Sequence, residues 1–434
     1  MTLLAFIVAL SVIVAIHEYG HYIVGRWSGI KAEVFSLGFG PVLWSRVDKH
    51  GTRWQFAALP FGGYVKFLGD ASAASSKDGA AMEQMSPERL RQTMHGAPLW
   101  ARTATVAAGP VFNFVLSIIV FAAIMMTQGK TADPLSIGEI KPLPVQGIAL
   151  QPGDQIVSIA NSQIPDFGDA KAFDAFVDTL PAEALLDYLV VRDGMEISVP
   201  GPYPLPPLVS QLAPQSAAYS IDMEVGDVIV TVDGSPIATF TELKDIVETS
   251  AGRVLKLDVW RNGKIIEFSL APRRVDEQLP EGGFHSTWRI GIAGGFAFVP
   301  GTERLGPLDA VSGGVSQTIR IVQSSLSGLY HMVTGAISSC NMSGPIGIAQ
   351  VSGAMASQGA QSFIWFIAVL STAVGLLNLF PIPVLDGGHL VFYAYEAVTG
   401  KPPSDRALRI LMSAGLALIL GFMLFALTND IFCP

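Results

Sequence analysis

The sequence predicts a polytopic α-helical membrane protein with four transmembrane helices, a membrane-associated β-sheet and two β-rich repeats. Three observations carry this reading. Half of the 434 residues are hydrophobic and 15% are charged, at a mean hydropathy of +0.45. That is too apolar for an ordinary soluble chain and too polar for membrane spans alone. Four apolar segments, 2–25, 103–127, 362–384 and 407–429, each come near the roughly 20 residues that a span requires. A strand-like pattern at 152–167 returns at 225–240, an offset of 73 residues. The net charge of −9 argues against nucleic acid as a partner.

The first span, within 1–25, reads TLLAFIVALSVIVAIHEYGHYIVG over 2–25 and encloses His17, Glu18 and His21. An ionisable group at mid-membrane depth costs roughly 2.5–3.5 kcal/mol, so three together need a reason. His17 and His21 stand four residues apart, about 40° from alignment on a helix. Both imidazoles face one way and can hold one Zn²⁺, with Glu18 placed to take a proton from the bound water. The plainer alternative is a helix whose polar residues line a bundle interior. The segment lacks the basic start and small-residue cleavage site of a secretory signal.

Charge sets the expected orientation. Residues 26–102 carry ten Lys/Arg against six Asp/Glu, whereas 128–361 carry 14 against 25. The positive-inside rule places 26–102 and 395–406 in the cytoplasm, and the termini and the long acidic segment outside. Cys340 and Cys433 then both lie outside, where a disulfide and two free thiols are both compatible with the spacing.

Between the first two spans, residues 30–68 alternate and turn around Gly38, Gly40, Gly51, Gly62 and Gly63. They predict a small cytoplasmic sheet. Its aromatic richness fits ordinary sheet packing. It also fits a sheet that re-enters the bilayer and offers an edge strand to an extended substrate. Residues 71–92 read as a polar loop and a short helix. In the acidic segment, PGDQIVSIANSQIPDF and VGDVIVTVDGSPIATF align, and VVRDG and VWRNG read as hairpin turns. The two copies, 128–200 and 201–273, resemble tandem PDZ domains, which take up extended peptides by strand addition. Packing over the membrane core without binding anything is the alternative. Residues 274–361 are expected to form a periplasmic linker with an interfacial helix at 305–340.

Two histidines need a third protein ligand and an open position. The third span ends in NLFPIPVLDGGH, residues 378–389, with the LDG motif at 385–387. Asp386 ends this span on the same expected side as the end of the first. Read alone, Asp386 is a helix cap; beside an intramembrane H-E-x-x-H it is the best ligand candidate.

HEYGH at 17–21, ALPFGGYVKFLGD at 58–70, AAGPVFNF at 107–114, SGPIGIA at 343–349 and NLFPIPVLDGGH at 378–389 together resemble the site-2 protease family of intramembrane zinc metalloproteases. The resemblance spans nearly the whole chain. It implies one catalytic Zn²⁺ held by His17, His21 and Asp386, with Glu18 as base. It implies substrate contacts at Gly62, Gly63, Tyr64 and Asn378. Pro110 and Asn113 match the family's second-span motif, and a packing or kinking role fits them equally. His389 reads as a support to the ligands, because a fourth ligand would close the position that water needs. The resemblance further implies a bacterial inner-membrane enzyme within the lipid bilayer. Its substrates would be single-span membrane proteins, such as anti-sigma factors or remnant signal peptides, already trimmed by an upstream periplasmic protease. The rival reading is a membrane-anchored PDZ scaffold with a vestigial metal site, but a scaffold has no use for Glu18.

Overall fold

In the computed structural model, residues 2–71, 79–165, 170–279 and 283–432 are described. Part of the 71–92 loop, the end of the first repeat motif (Asp166 and Phe167) and Cys433 lie outside them. α1 (Thr2–Trp27) leads into a long hairpin, β1 (Ala32–Val47) and β2 (Arg53–Phe67), and then into α2 (Leu99–Gln128). The first repeat comprises β3 (Ile137–Ile140), β4 (Gln155–Ile159), α3 (Ala170–Asp178), β5 (Leu185–Arg192) and β6 (Met195–Pro202). The second comprises β7 (Val209–Leu212), β8 (Val228–Val232), α4 (Phe240–Thr249), β9 (Leu255–Arg261) and β10 (Lys264–Leu270). A hairpin, β11 (Arg273–Gln278) and β12 (Phe284–Arg289), and two short strands, β13 (Ile292–Gly294) and β14 (Phe298–Pro300), follow. The chain ends in α5 (Pro307–Val333), α6 (Pro345–Ser357), α7 (Ala360–Asn378), α8 (Asp386–Thr399) and α9 (Asp405–Phe432).

Among the described residues, α1, α2, α7 and α9 are the four helices long and apolar enough to cross a membrane. At 1.5 Å per residue they measure roughly 28–45 Å, against about 30 Å of hydrocarbon. The third is shorter than 362–384: helix ends at Asn378, because Pro381 and Pro383 lack the N–H that would continue the ladder. The chain divides into two units, one of Met1–Ile124, Leu308–Met332 and Ser339–Pro434, the other of Met125–Pro307 and Val333–Ser338.

In the first unit, the hairpin folds on itself. Val34–Leu37 lies between Gly63–Lys66 on one side and Arg53–Phe56 on the other, while Val42–Val47 pairs with Arg53–Ala57. Its near end is apolar and packed: Ala32, Phe35, Val65 and Phe67 share a core with Tyr22, Ala101 and Val106. Its far end exposes Leu43, Trp44, Phe56, Leu59 and Phe61. The SGPIGIA motif also finds its reason here. The N-terminus of α6 directs the amides of Gly344, Ile346 and Gly347 at the Asp430 carboxylate of α9, at 2.7–3.1 Å. A carboxylate satisfies the free donors of a helix start and its dipole at once.

In the second unit, the repeats build matching sheets. A short strand (Ser162–Gln163) and then β4, β5 and β6 form one, and a short strand (Ser235–Pro236) and then β8, β9 and β10 form the other. Each hairpin turns through a pair of positive-φ residues, Asp193–Gly194 and Asn262–Gly263, as the sequence predicts. The Gly-Asp and Arg-[Asp/Asn]-Gly motifs meet in space. Arg192 grips both carboxylate oxygens of Asp154 at 2.7 Å, and Arg261 grips those of Asp227 at 2.6 and 2.7 Å.

Residues 274–303 are no simple linker. β13 pairs with β7 and β14 with β3, and Ile290 and Phe298 are buried in the cores of the second and first repeats respectively. The first strand of each repeat bonds locally at one end, Ile137 N–H to the Asp154 carbonyl and Val209 N–H to the Asp227 carbonyl, and the returning chain supplies its ladder partner. Pattern reading within one repeat does not reveal such a long-range pairing.

The Asp154–Arg192 pair yields a stability prediction. The Arg192 guanidinium holds the Asp154 carboxyl below its ordinary value. Its stabilisation is therefore complete above the unfolded carboxyl pKa of about 3.9 and is lost as pH falls through the lower folded value. Arg192→Ala should destabilise the protein, because it removes both guanidinium hydrogen bonds and leaves the Asp154 carboxylate the Gln151 backbone amide as its remaining partner among the described residues. Denaturant melts of the second unit at neutral and acid pH should show the variant less stable, with the gap narrowing in acid. Equal stability at neutral pH would refute the role.

Candidate active site

Three helices bring the site together. α1 carries His17, Glu18 and His21 near its C-terminal end. α2 approaches closely because Gly20 and Gly109 lack side chains. A Cβ on Gly20 would sit 2.6 Å from the Ala108 carbonyl, and one on Gly109 would sit 2.3 Å from His21 Nε2 and 2.8 Å from His17 Cε1. Pro110 lies inside α2, which continues through it. After α7 the chain turns over 379–385, and α8 starts at Asp386. Gly387 and Gly388 are required here: Cβ atoms would lie 2.3 Å from the carbonyls of Leu379, Phe380 and Ile382.

The ligand atoms converge. His17 Nε2 and His21 Nε2 are 3.1 Å apart, and Asp386 Oδ2 stands 3.2 Å from the first and 3.5 Å from the second. A tetrahedral zinc with bonds of about 2.0–2.1 Å has ligand atoms about 3.3 Å apart, so the three edges fit such an ion. Asp386 Oδ2 is buried and has no hydrogen-bond partner among the described residues. A carboxylate oxygen wedged between two imidazole nitrogens is a donor set for a divalent cation. The far ring nitrogens turn to α2: His21 Nδ1 meets the Thr105 carbonyl at 2.9 Å, and His17 Nδ1 meets the Asn113 amide at 3.3 Å.

Glu18 points to the sheet. A Cβ on Gly63 would lie 3.1 Å from Glu18 Cγ and 2.9 Å from Val14 Cγ1. Gly62 adopts φ +142° beneath the Phe39 ring. Tyr64 stacks on Phe39 and accepts a hydrogen bond from Gln55 at 3.2 Å. It follows that Gly63 borders Glu18, whereas Tyr64 is engaged within the sheet. Asn378 ends α7, and no hydrogen bond joins it to the cluster among the described residues. His389 falls outside the group that could hold a metal ion among the described residues, His17, His21 and Asp386. Sequence reasoning assigns no role to Thr105, or to Gly109 within AAGPVFNF. The spacing of 105, 109 and 113, which puts one α2 face against the histidines, is the only local signal.

The profile of Peptidase family M50 matches residues 5–422. The chain belongs to that family. A protein of Rhizobium meliloti named as a zinc metalloprotease is 37% identical over 436 residues, covering 99% of this chain and 96% of the relative. A similarly named protein of Agrobacterium fabrum is 35% identical over 98% of this chain and 94% of the relative. The Regulator of sigma-E protease RseP of Salmonella typhimurium is 31% identical over 99% and 98% respectively. This M50 peptidase is thus a zinc metalloprotease of the site-2 type, and its four apolar helices fit an inner-membrane protein.

Gly109 offers a direct test of the packing. Gly109→Ala should push both imidazoles off the shared axis and weaken zinc retention by about 10–100-fold, the usual cost of disturbing ligand orientation. Zinc content after dialysis against a chelator measures it, and unchanged retention would show that α2 does not set the imidazole positions.

Proposed function

We propose that this M50 peptidase cuts single-span membrane proteins within the bilayer, using one zinc ion held by His17, His21 and Asp386. The observation that supports this best is the meeting of three ligand atoms at tetrahedral spacing, with the Glu18 carboxylate between them and a sheet edge. Zinc, when bound, supplies Lewis acidity to water and to the scissile carbonyl. Glu18 accepts the proton of the attacking water and hands it to the leaving amine.

A helical substrate hides its amides, so it must unwind before cleavage. The Gly63–Phe67 edge beside Glu18 is suited to hold the unwound strand by main-chain pairing. The exposed apolar far end of the hairpin suits a sheet that dips into lipid. Gly62 and Gly63, which let Phe39 and Glu18 pack close to the strand, then contact the substrate along this edge, and Asn378 contacts it from the end of α7. The charge pattern places this edge toward the cytoplasm and the repeats in the periplasm.

The repeats act as a PDZ-like size filter for substrates trimmed beforehand by a periplasmic protease. In favour of a filter over peptide capture at their first strands, β3 and β7 already have partners in β14 and β13. Anti-sigma-factor-like proteins and remnant signal peptides fit the substrate description, with a role in stress response.

Two experiments test this reading. Glu18→Gln should keep zinc and lose cleavage of a model single-span substrate, whereas His17→Ala, His21→Ala and Asp386→Ala should lose both. Full activity of Glu18→Gln would sink the mechanism. Deleting 128–303 should let the enzyme cut substrates with bulky outer domains while trimmed substrate is cut as before. Lost cleavage of the trimmed form, with zinc retained, would instead favour delivery by the repeats.

A further inference from the structure

The α2 face that meets the histidines carries one residue whose hydrogen bonding does not close. Asn113 is fully buried. Its Nδ2 stands 3.3 Å from His17 Nδ1, and its Oδ1 is buried without a partner among the described residues. His21 supplies the comparison. Its Nδ1 faces the Thr105 carbonyl at 2.9 Å, which can only accept, so Nδ1 carries the proton and Nε2 presents a lone pair. His17 Nε2 points at the same centre, 3.1 Å from His21 Nε2 and 3.2 Å from Asp386 Oδ2. To ligate a cation it needs the same tautomer, and its Nδ1 must then donate. An amide nitrogen cannot accept that proton; an amide oxygen can. The two ends of an amide are nearly equal in size, so a half-turn of the side chain exchanges them within one cavity.

We propose that in the zinc-loaded enzyme Asn113 presents Oδ1 to the Nδ1–H of His17, fixing the tautomer and ring orientation of that ligand. Asn113 is then a positioning residue, the side-chain counterpart of the Thr105 carbonyl. α2 holds both imidazoles from one face, with Gly109 between the two anchors. The inference rests on the reading of His17 as a zinc ligand.

The test uses the purified full-length chain in detergent, with zinc affinity measured by competition against a chromophoric chelator. Asn113→Leu keeps the size and removes the acceptor; Asn113→Asp keeps acceptor oxygens and removes the N–H. Asn113→Leu should bind zinc about 10–100-fold more weakly, and Asn113→Asp should stay close to the unsubstituted protein. Ring-nitrogen NMR of the zinc-loaded, unsubstituted protein, which needs no variant to fold, should show Nδ1 of His17 protonated. Unchanged zinc affinity in Asn113→Leu overturns the proposal. So does equal weakening in both variants, or loss of cleavage in both with zinc retained, which would mark Asn113 as a donor to substrate. Unsubstituted protein that binds no zinc would instead overturn the zinc reading beneath it.

Discussion

A carboxylate buried among apolar helices is tolerated only where something neutralises it, and the packing of α1, α2 and α8 follows from that requirement. Asp386 Oδ2 lies within 3.5 Å of two imidazole nitrogens and has no other partner among the described residues. In a low-dielectric setting such a group costs several kcal/mol unless a cation or proton compensates it. The glycines explain how it comes to lie there. Gly20 and Gly109 let α1 and α2 close on each other, and Gly387 and Gly388 let the start of α8 rest on the carbonyls of the preceding turn. A methyl group at any of these positions would push a ligand away from the common centre.

The hairpin extends the site rather than closing it. Its near end shares a core with α1 and α2, so Gly63 is held against Glu18. The far end exposes large apolar side chains. Polar contacts also join the helices: Ser117 donates to the Ala368 carbonyl and Ser371 to the Asn113 carbonyl, at 2.8 and 2.9 Å. Hydroxyls bind helices together in this way where the hydrophobic effect between them is weak.

The second unit follows a different logic, that of two small cores completed by two short returning strands. Each repeat has a buried Asp–Arg pair and a sheet of its own, yet each draws a strand from 292–300. The repeats are therefore tied to each other through a segment that belongs to neither.

Local chemistry made much of this protein legible. The spans were readable because hydropathy is a local property, and His17, Glu18 and His21 because helical spacing alone puts them on one face. The repeat was readable because duplication preserves Gly-Asp and the Arg-led turn at a fixed offset. Asp386 could be nominated because an acid after an apolar stretch is conspicuous. Other features depend on contacts between residues far apart in the chain, which leave no periodic trace. Nothing local says that Gly109 faces two imidazoles 88 and 92 residues earlier, that Thr105 and Asn113 anchor their far nitrogens, that Asp430 caps α6, or that 292–300 completes both repeats. Sequence by itself determined which groups could do the chemistry, since residue type and short-range spacing decide that. Tertiary structure alone decided whether they meet, because a gap of a few ångströms between helices is set by every side chain in the interface at once.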